Sequence, residues 1–206
     1  MRWRDGMPWL VCGAMTANRT ARREDLVEAA MHVLRTHGLA ACTARAIAEA
    51  SPLTKSALHY YFEDVEEIVD VAFRRLMGEF QDQIDAAAAA QADPVAALWA
   101  AVETHLHLGA DRPERGEQLL FLWFEMQVAA SRRGDTSTVA ALTDRALGTF
   151  TRLVAAAGVD RAEAMASTLL SALIGSVVRL DMHPRPISEL IDELASTLAL
   201  PAPARL

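Results

Sequence analysis

Helical spacing of apolar residues recurs along almost the whole chain, and no apolar/polar alternation lasts long enough to make a convincing strand. The fold class is therefore all-α. Start and stop signals divide the periodic stretches into about nine helices, three small and then six longer. The first spans 22–36 and places Leu26, Ala30, Val33, Leu34 and His37 on one side, with Gly38 where a C-terminal residue of positive φ is wanted. Thr43 is a sensible N-cap for a short helix over 44–50, which Ser51-Pro52 cannot continue. Thr54 then caps a second short helix reaching Tyr61. Two short helices across a tight break form the helix-turn-helix outline.

Asp64-Val65-Glu66-Glu67 is a capping box that opens a long helix through Val71, Phe73, Leu76, Phe80 and Ile84 to the alanines at 86–90. Asp93-Pro94 supplies a cap and a first-turn proline for a helix ending near Gly109. The next two are expected over 113–133, stopping before Gly134, and over 135–157, stopping at Gly158. Asp160-Arg161-Ala162-Glu163 reads as another capping box, for a helix to Met182. Beyond Pro184 and Pro186, Ile187, Leu190, Ile191, Leu194 and Leu198 form a last amphipathic stripe.

A chain of 206 residues, 52% hydrophobic, can bury a core without staples, and its two cysteines, Cys12 and Cys42, cannot supply a disulfide framework. A cytoplasmic setting is the default. The longest charge-free apolar stretch covers the 15 positions between Glu163 and Arg179, short of the roughly 20 residues of a membrane span, so no membrane partner is expected. Arg2 and Arg4 before Trp9-Leu10-Val11-Cys12 only loosely imitate a secretion signal, because the apolar run is too short. Residues 1–14 read as an extension of uncertain order, and Met15 is as good a translation start as Met1. The expected organisation is an extension over 1–16, a helix-turn-helix domain over 17–63 and a larger domain over 64–206. Charge divides along similar lines. Residues 1–62 hold eight basic against five acidic side chains, +3, which leaves −10 of the net −7 to the remainder. The basic end is the part suited to a polyanion, and the chain's lone lysine, Lys55, lies in it.

Over 20–76, the segments Leu26-Val27-Glu28-Ala29-Ala30, Gly38, Thr43-Ala44-Arg45-Ala46-Ile47-Ala48, Lys55-Ser56-Ala57-Leu58-His59-Tyr60-Tyr61-Phe62 and Glu66-Glu67-Ile68 resemble the DNA-binding head of TetR-type (tetracycline-repressor family) transcriptional regulators. In a helix-turn-helix the second helix enters the major groove, where base edges expose distinguishable donors and acceptors. Leu58 must point back to Ile47 and the first helix, which leaves Thr54, Lys55, Ser56, Ala57, His59 and Tyr60 facing DNA. Lys55 suits a guanine or a phosphate, and Ala57 a thymine methyl. The resemblance further implies that Arg45 reaches a base or phosphate and that Thr43 bonds a phosphate. It puts His59 where a phosphate-binding tyrosine is usual, and Tyr61 where a His or Tyr grips the backbone. Phe62 reads better as core, and Tyr61 divides evenly between core and DNA contact.

Three departures from the family pattern stand out. The turn Ser51-Pro52-Leu53-Thr54 is one residue longer than usual, which affects the register on DNA. His59 brings a side-chain type whose charge can change near neutral pH. Val65 replaces a frequent phosphate-binding lysine, leaving the backbone amides of that helix N-terminus to do the work. Fewer phosphate contacts and a shallower salt dependence follow.

The resemblance also implies that the acidic remainder binds a small molecule and dimerises. Pocket candidates are Trp99, His105, Leu106, Phe121, Trp123, Phe124, Met126, Gln127, Leu173 and Val177, although for any single one of them plain core packing is the better reading. His105 and His107 cannot share a helix face, so no metal site is expected, and no cofactor. Glu103 and Glu125 would recognise a cation if buried. Leu169, Leu173, Val177 and Leu180, followed by Ile187, Leu190, Ile191, Leu194 and Leu198, would pair with a twofold mate as a four-helix bundle. Two heads would then meet major grooves roughly 34–36 Å apart.

No phosphate loop, H-E-x-x-H, Gly-x-Ser-x-Gly or metal-spaced cysteine pair is present, so no catalytic residue is nominated and a helical enzyme has nothing in its favour. The expectation is a ligand-responsive regulator, a repressor rather than an activator, binding a palindromic double-stranded DNA operator as a homodimer and answering to an unknown small-molecule effector. The alternative is a dimeric helical small-molecule-binding protein with a degenerate head. A requirement for Lys55 and Arg45 in DNA binding separates the two.

Overall fold

The computed structural model describes residues 8–110 and 119–202, with side chains over 19–109 and 119–202. Among the described residues the chain forms nine helices and no strand. They are α1 (Pro8–Ala41), α2 (Ala44–Ala50), α3 (Lys55–Tyr61), α4 (Val65–Ala89), α5 (Pro94–Ala110), α6 (Leu119–Arg133), α7 (Ser137–Ala156), α8 (Ala162–Met182) and α9 (Ile187–Thr197). The chain divides into two compact units, Met1–Phe73 and Arg74–Leu206, and the division falls inside α4 rather than at its start. The reason is apolar. Ile68, Val69, Ala72 and Phe73 on the first turns of α4 are buried together with the rest of the N-terminal unit's core.

In that unit, Leu26, Ala30, Val33, Leu34, Ile47, Leu58 and Phe62 are buried, whereas His37 is exposed and leaves the expected apolar side. α1 is much longer than the small helix expected over 22–36, since helix continues upstream to Pro8 through the stretch read as an extension. Residues 1–7 lie outside the described part. Gly38 interrupts the end of α1 with φ 73° and ψ −176°, a conformation essentially restricted to glycine. Thr43 caps α2 by accepting the Ala46 N–H at 3.2 Å. Ser51 then ties the turn, its Oγ accepting the Leu53 N–H at 3.1 Å. Thr54 occupies the N-cap position of α3 without a side-chain cap bond.

The C-terminal unit is built around α5, which packs against α6, α7, α8 and α9. Its sequence explains the central position: Ala97, Leu98, Trp99, Ala101, Val102, His105 and Leu106 are all buried, so most of its circumference is apolar. Asp93 caps its start by accepting the Ala96 N–H at 2.8 Å. The tail is closed over it by the Trp99 indole N–H, which donates to the Pro201 carbonyl at 2.7 Å. The start of the helix expected at 113 lies outside the described residues, and α6 is seen from Leu119 onward. The capping box expected at Asp160 does not form. Arg161 is the N-cap of α8, in a left-handed conformation with φ 55° and ψ 44° and no side-chain cap bond. α8 is also long and apolar enough, by length and composition alone, to cross a membrane, a test the 15-position charge-free stretch did not suggest it would pass. Here Leu169, Leu170, Leu173 and Val177 bury that apolar character in the core.

Candidate nucleic-acid interface and buried cavity

α2 and α3 are held by their buried side chains, Ile47 and Leu58, and their remaining faces carry the polar groups. Thr43, Arg45, Thr54, Lys55, Ser56 and His59 are exposed, Ala57 and Tyr61 are half-buried, and Tyr60 is 66% exposed. Tyr60 meets Tyr61 edge to face at 4.9 Å, and the Arg19 guanidinium from α1 lies 5.6 Å from the Tyr60 ring centroid. Arg19 is thus beside the face of α3 that resembles the DNA reader, although residue spacing gave no sign of it. Arg45 Nε donates to Glu49 Oε1 at 2.8 Å, one turn further along α2. That hydrogen bond, and then the charge of Glu49, hold the guanidinium's pKa above its ordinary value.

The N-terminus of α4 differs from the expected phosphate site. Asp64 Oδ1 accepts the Glu67 N–H and Glu67 Oε2 accepts the Glu63 N–H, each at 2.8 Å. Carboxylates already occupy these donors and place negative charge where the amides were expected to receive a phosphate.

In the C-terminal unit, a cavity of about 90 Å³ opens among α4, α5, α6, α7 and α8. Its apolar wall includes Met77, Phe80, Leu120, Trp123, Leu142, Ala146, Leu170, Ile174 and Val177, with Gly109 and Leu119 at the edge. The polar wall residues are Gln81, His105, Thr143 and Arg145. His105 is 8% exposed, its ring lies 5.3 Å from Phe80 and 6.0 Å from Phe150, and its Nδ1 has no hydrogen-bond partner. Burial pushes its pKa down to about 4.

Arg145 leads a polar cluster behind this wall. Its guanidinium donates to Asp82 Oδ1 at 2.5 Å and to Asp85 Oδ2 at 3.4 Å. Asp85 Oδ1 also accepts from Thr149 Oγ1 at 2.9 Å and from Gln81 Nε2 at 3.3 Å. The hydrogen bond to Asp82 is the foremost cause of a raised Arg145 pKa.

Of the expected pocket residues, His105, Trp123 and Val177 line this cavity, and the others do not. Trp99, Leu106, Met126 and Leu173 are packed in the core, while Phe121, Phe124 and Gln127 lie on the exposed side of α6. The physical reason is helical phase: in α6 Trp123 turns toward the cavity, and Phe121 and Phe124 flank it on the other side. Glu103 is exposed and pairs at 3.7 Å with His107. The expected dimer stripe is likewise redirected. Leu169, Leu173, Val177, Leu180, Leu190, Ile191 and Leu194 are buried within the chain's own core, and Leu198 is half-buried against it. An amphipathic stripe marks a buried face, and α5 and α7 pack against that of α8.

The chain thus carries a helix-turn-helix head followed by a separate all-helical unit that contains an apolar cavity. Residues 26–72 match the sequence model of the bacterial regulatory proteins of the tetR family. The HTH-type transcriptional regulator BetI of Rhizobium meliloti (strain 1021) is 26% identical over 169 residues, 81% of this chain and 81% of that protein. Among solved structures, a TetR-family regulator from Cytophaga hutchinsonii superposes with a TM-score of 0.69 at 16% identity, covering 88% of this chain and 92% of that one. The fatty acid degradation regulator FadR from Bacillus halodurans gives 0.63 at 18% identity, covering 86% and 94%. Over residues 26–72 the chain is thus similar to the tetR-family regulatory proteins, and its fold is the one that TetR-family regulators share.

Proposed function

We propose that this regulator binds a palindromic DNA operator as a homodimer in the cytoplasm, acts as a repressor, and is released by a small molecule held in the cavity beside His105. One observation supports the DNA role above the others: Leu58 anchors α3 while Thr54, Lys55, Ser56 and His59 on the same helix and its cap remain exposed. Arg45 and Thr43 extend that polar face onto α2, Ala57, Tyr60 and Tyr61 supply its apolar and aromatic contacts, and Arg19 adds a cation beside Tyr60. The effector acts through linkage, since a ligand that prefers the conformation with weak DNA affinity must loosen DNA by the same factor that DNA loosens the ligand.

The test is selection of bound sequences from a random duplex pool, followed by titration of the enriched site. A palindrome is expected, and Lys55→Ala and Arg45→Ala should each weaken it by about tenfold or more with unchanged helical content. Enrichment of no sequence, by protein refolded free of ligand, would favour the alternative of a binding protein with a degenerate head.

A further inference from the structure

The polar groups around the cavity are unequally satisfied. Gln81 Nε2 donates to Asp85, Thr143 Oγ1 donates to the Val139 carbonyl at 2.9 Å, and Arg145 is engaged by Asp82 and Asp85. Among the described residues, the buried side-chain polar atoms without a partner are His105 Nδ1 and, away from this cavity, Ser176 Oγ. A buried polar atom left unpaired is unfavourable, so a ligand that completes it gains both the contact and relief of that deficit.

We infer that the cavity takes a compact, uncharged, largely apolar molecule bearing a hydroxyl group, which the His105 imidazole recognises. The inference rests on the cavity being the effector site proposed above. Charge is argued from the wall. Among the described residues no acidic side chain lines it, and its guanidinium is held between two carboxylates, so neither an organic cation nor an anion would find an unpaired counter-ion there. His105 is itself neutral near pH 7 and supplies no charge. A hydroxyl is favoured over a carbonyl because it donates or accepts, and so pairs with Nδ1 in either imidazole tautomer. The edge contacts with Phe80 and Phe150 hold the ring in place for that role. Size is argued from volume. About 90 Å³ is smaller than the roughly 150 Å³ apolar cavity that admits benzene, so a single ring enters only as the flexible Met77 side chain gives way.

Four single-ring probes separate these chemistries: phenol, toluene, benzoate and benzylammonium, titrated against the full-length protein by calorimetry and by Trp123 fluorescence. Phenol should bind saturably, toluene about tenfold more weakly, and the two ions not at all. His105→Leu should bring phenol down to the level of toluene without altering toluene, and His105→Gln should recover part of the difference. Equal affinity for phenol and toluene, preference for either ion, or binding of none of the four would overturn the assignment. Operator release measured in the same samples separates this from the broader reading. If phenol binds as expected but leaves DNA affinity unchanged, the effector role of the cavity falls and the ligand class stands. If a charged compound releases DNA and Ile174→Trp blocks that release, the cavity stands and the ligand class falls.

Discussion

At the scale of single residues, Glu49 limits what Arg45 can do. A guanidinium held 2.8 Å from a carboxylate must share or abandon it before gripping a phosphate, and the carboxylate itself repels the backbone. Glu49→Gln should therefore tighten operator binding about two- to fivefold at low salt, with the gain shrinking as salt rises, in an anisotropy titration. Weaker binding would remove Glu49 from this role. His105 yields a pH prediction. Its folded-state pKa of about 4 lies below that of an unfolded histidine, so both states are neutral above about pH 6.5 and the group has no effect there. Below that, the unfolded chain takes up a proton that the folded chain refuses until about pH 4, and stability falls as pH falls through this window. Urea unfolding at pH 7 and pH 4.5 should show the wild type losing about 2–3 kcal/mol more than His105→Leu between them. An equal loss in both proteins would contradict the burial argument. Exposed and buried positions of the head were legible from Leu58 and Ile47 outward, because one apolar anchor sets the phase of a seven-residue helix. Arg19 was not legible, since its proximity to Tyr60 joins residues far apart in sequence.

At the scale of elements, the close approach of α5 to α8 depends on Gly109. A Cβ there would stand 2.9 Å from Val177 Cγ2 and 3.3 Å from Cγ1, so the buried Val177 side chain would have to shift. Gly109→Ala should destabilise the protein by about 1–3 kcal/mol, and combining it with Val177→Ala should cost less than the sum of the two single changes. Additive losses in urea melts would mean that the two side chains do not collide. Helix ends were legible wherever a short polar side chain could reach the first turn, as Thr43, Asp64 and Asp93 do. The start of α8 was not, because the backbone at Arg161 turns left-handed and the Asp160 signal is bypassed. The apolar stripes of α8 and α9 were correctly read as buried faces, yet periodicity carries no information on whether the covering surface belongs to the same chain.

At the scale of the whole molecule, each half-site offers a head few contacts, and strong sequence reading requires two heads. For the proposed homodimer we assign the mate to the outer side of α8, since the leucines of α8 and α9 are buried in their own core. Ala164, Ser167, Thr168, Ser171 and Gly175 are exposed there, and none is bulky. The hydroxyls of Thr168 and Ser171 donate back to the Ala164 and Ser167 carbonyls, so they demand no partner from outside. Such a surface allows two helices to approach closely, whereas a long charged side chain would hold them apart. A Cβ at Gly175 meets nothing within 4 Å, so a longer side chain can leave the helix there without a clash at its root. Gly175→Arg should sediment as a monomer and unfold at the wild-type urea concentration once protomer concentration is low. It should also bind the selected operator at least a hundredfold more weakly than wild type, because each head then binds alone. Ser131→Arg, on the exposed side of α6, is the matched control and should remain dimeric. If Gly175→Arg also remains a dimer with full operator affinity, the outer side of α8 is not the mating surface.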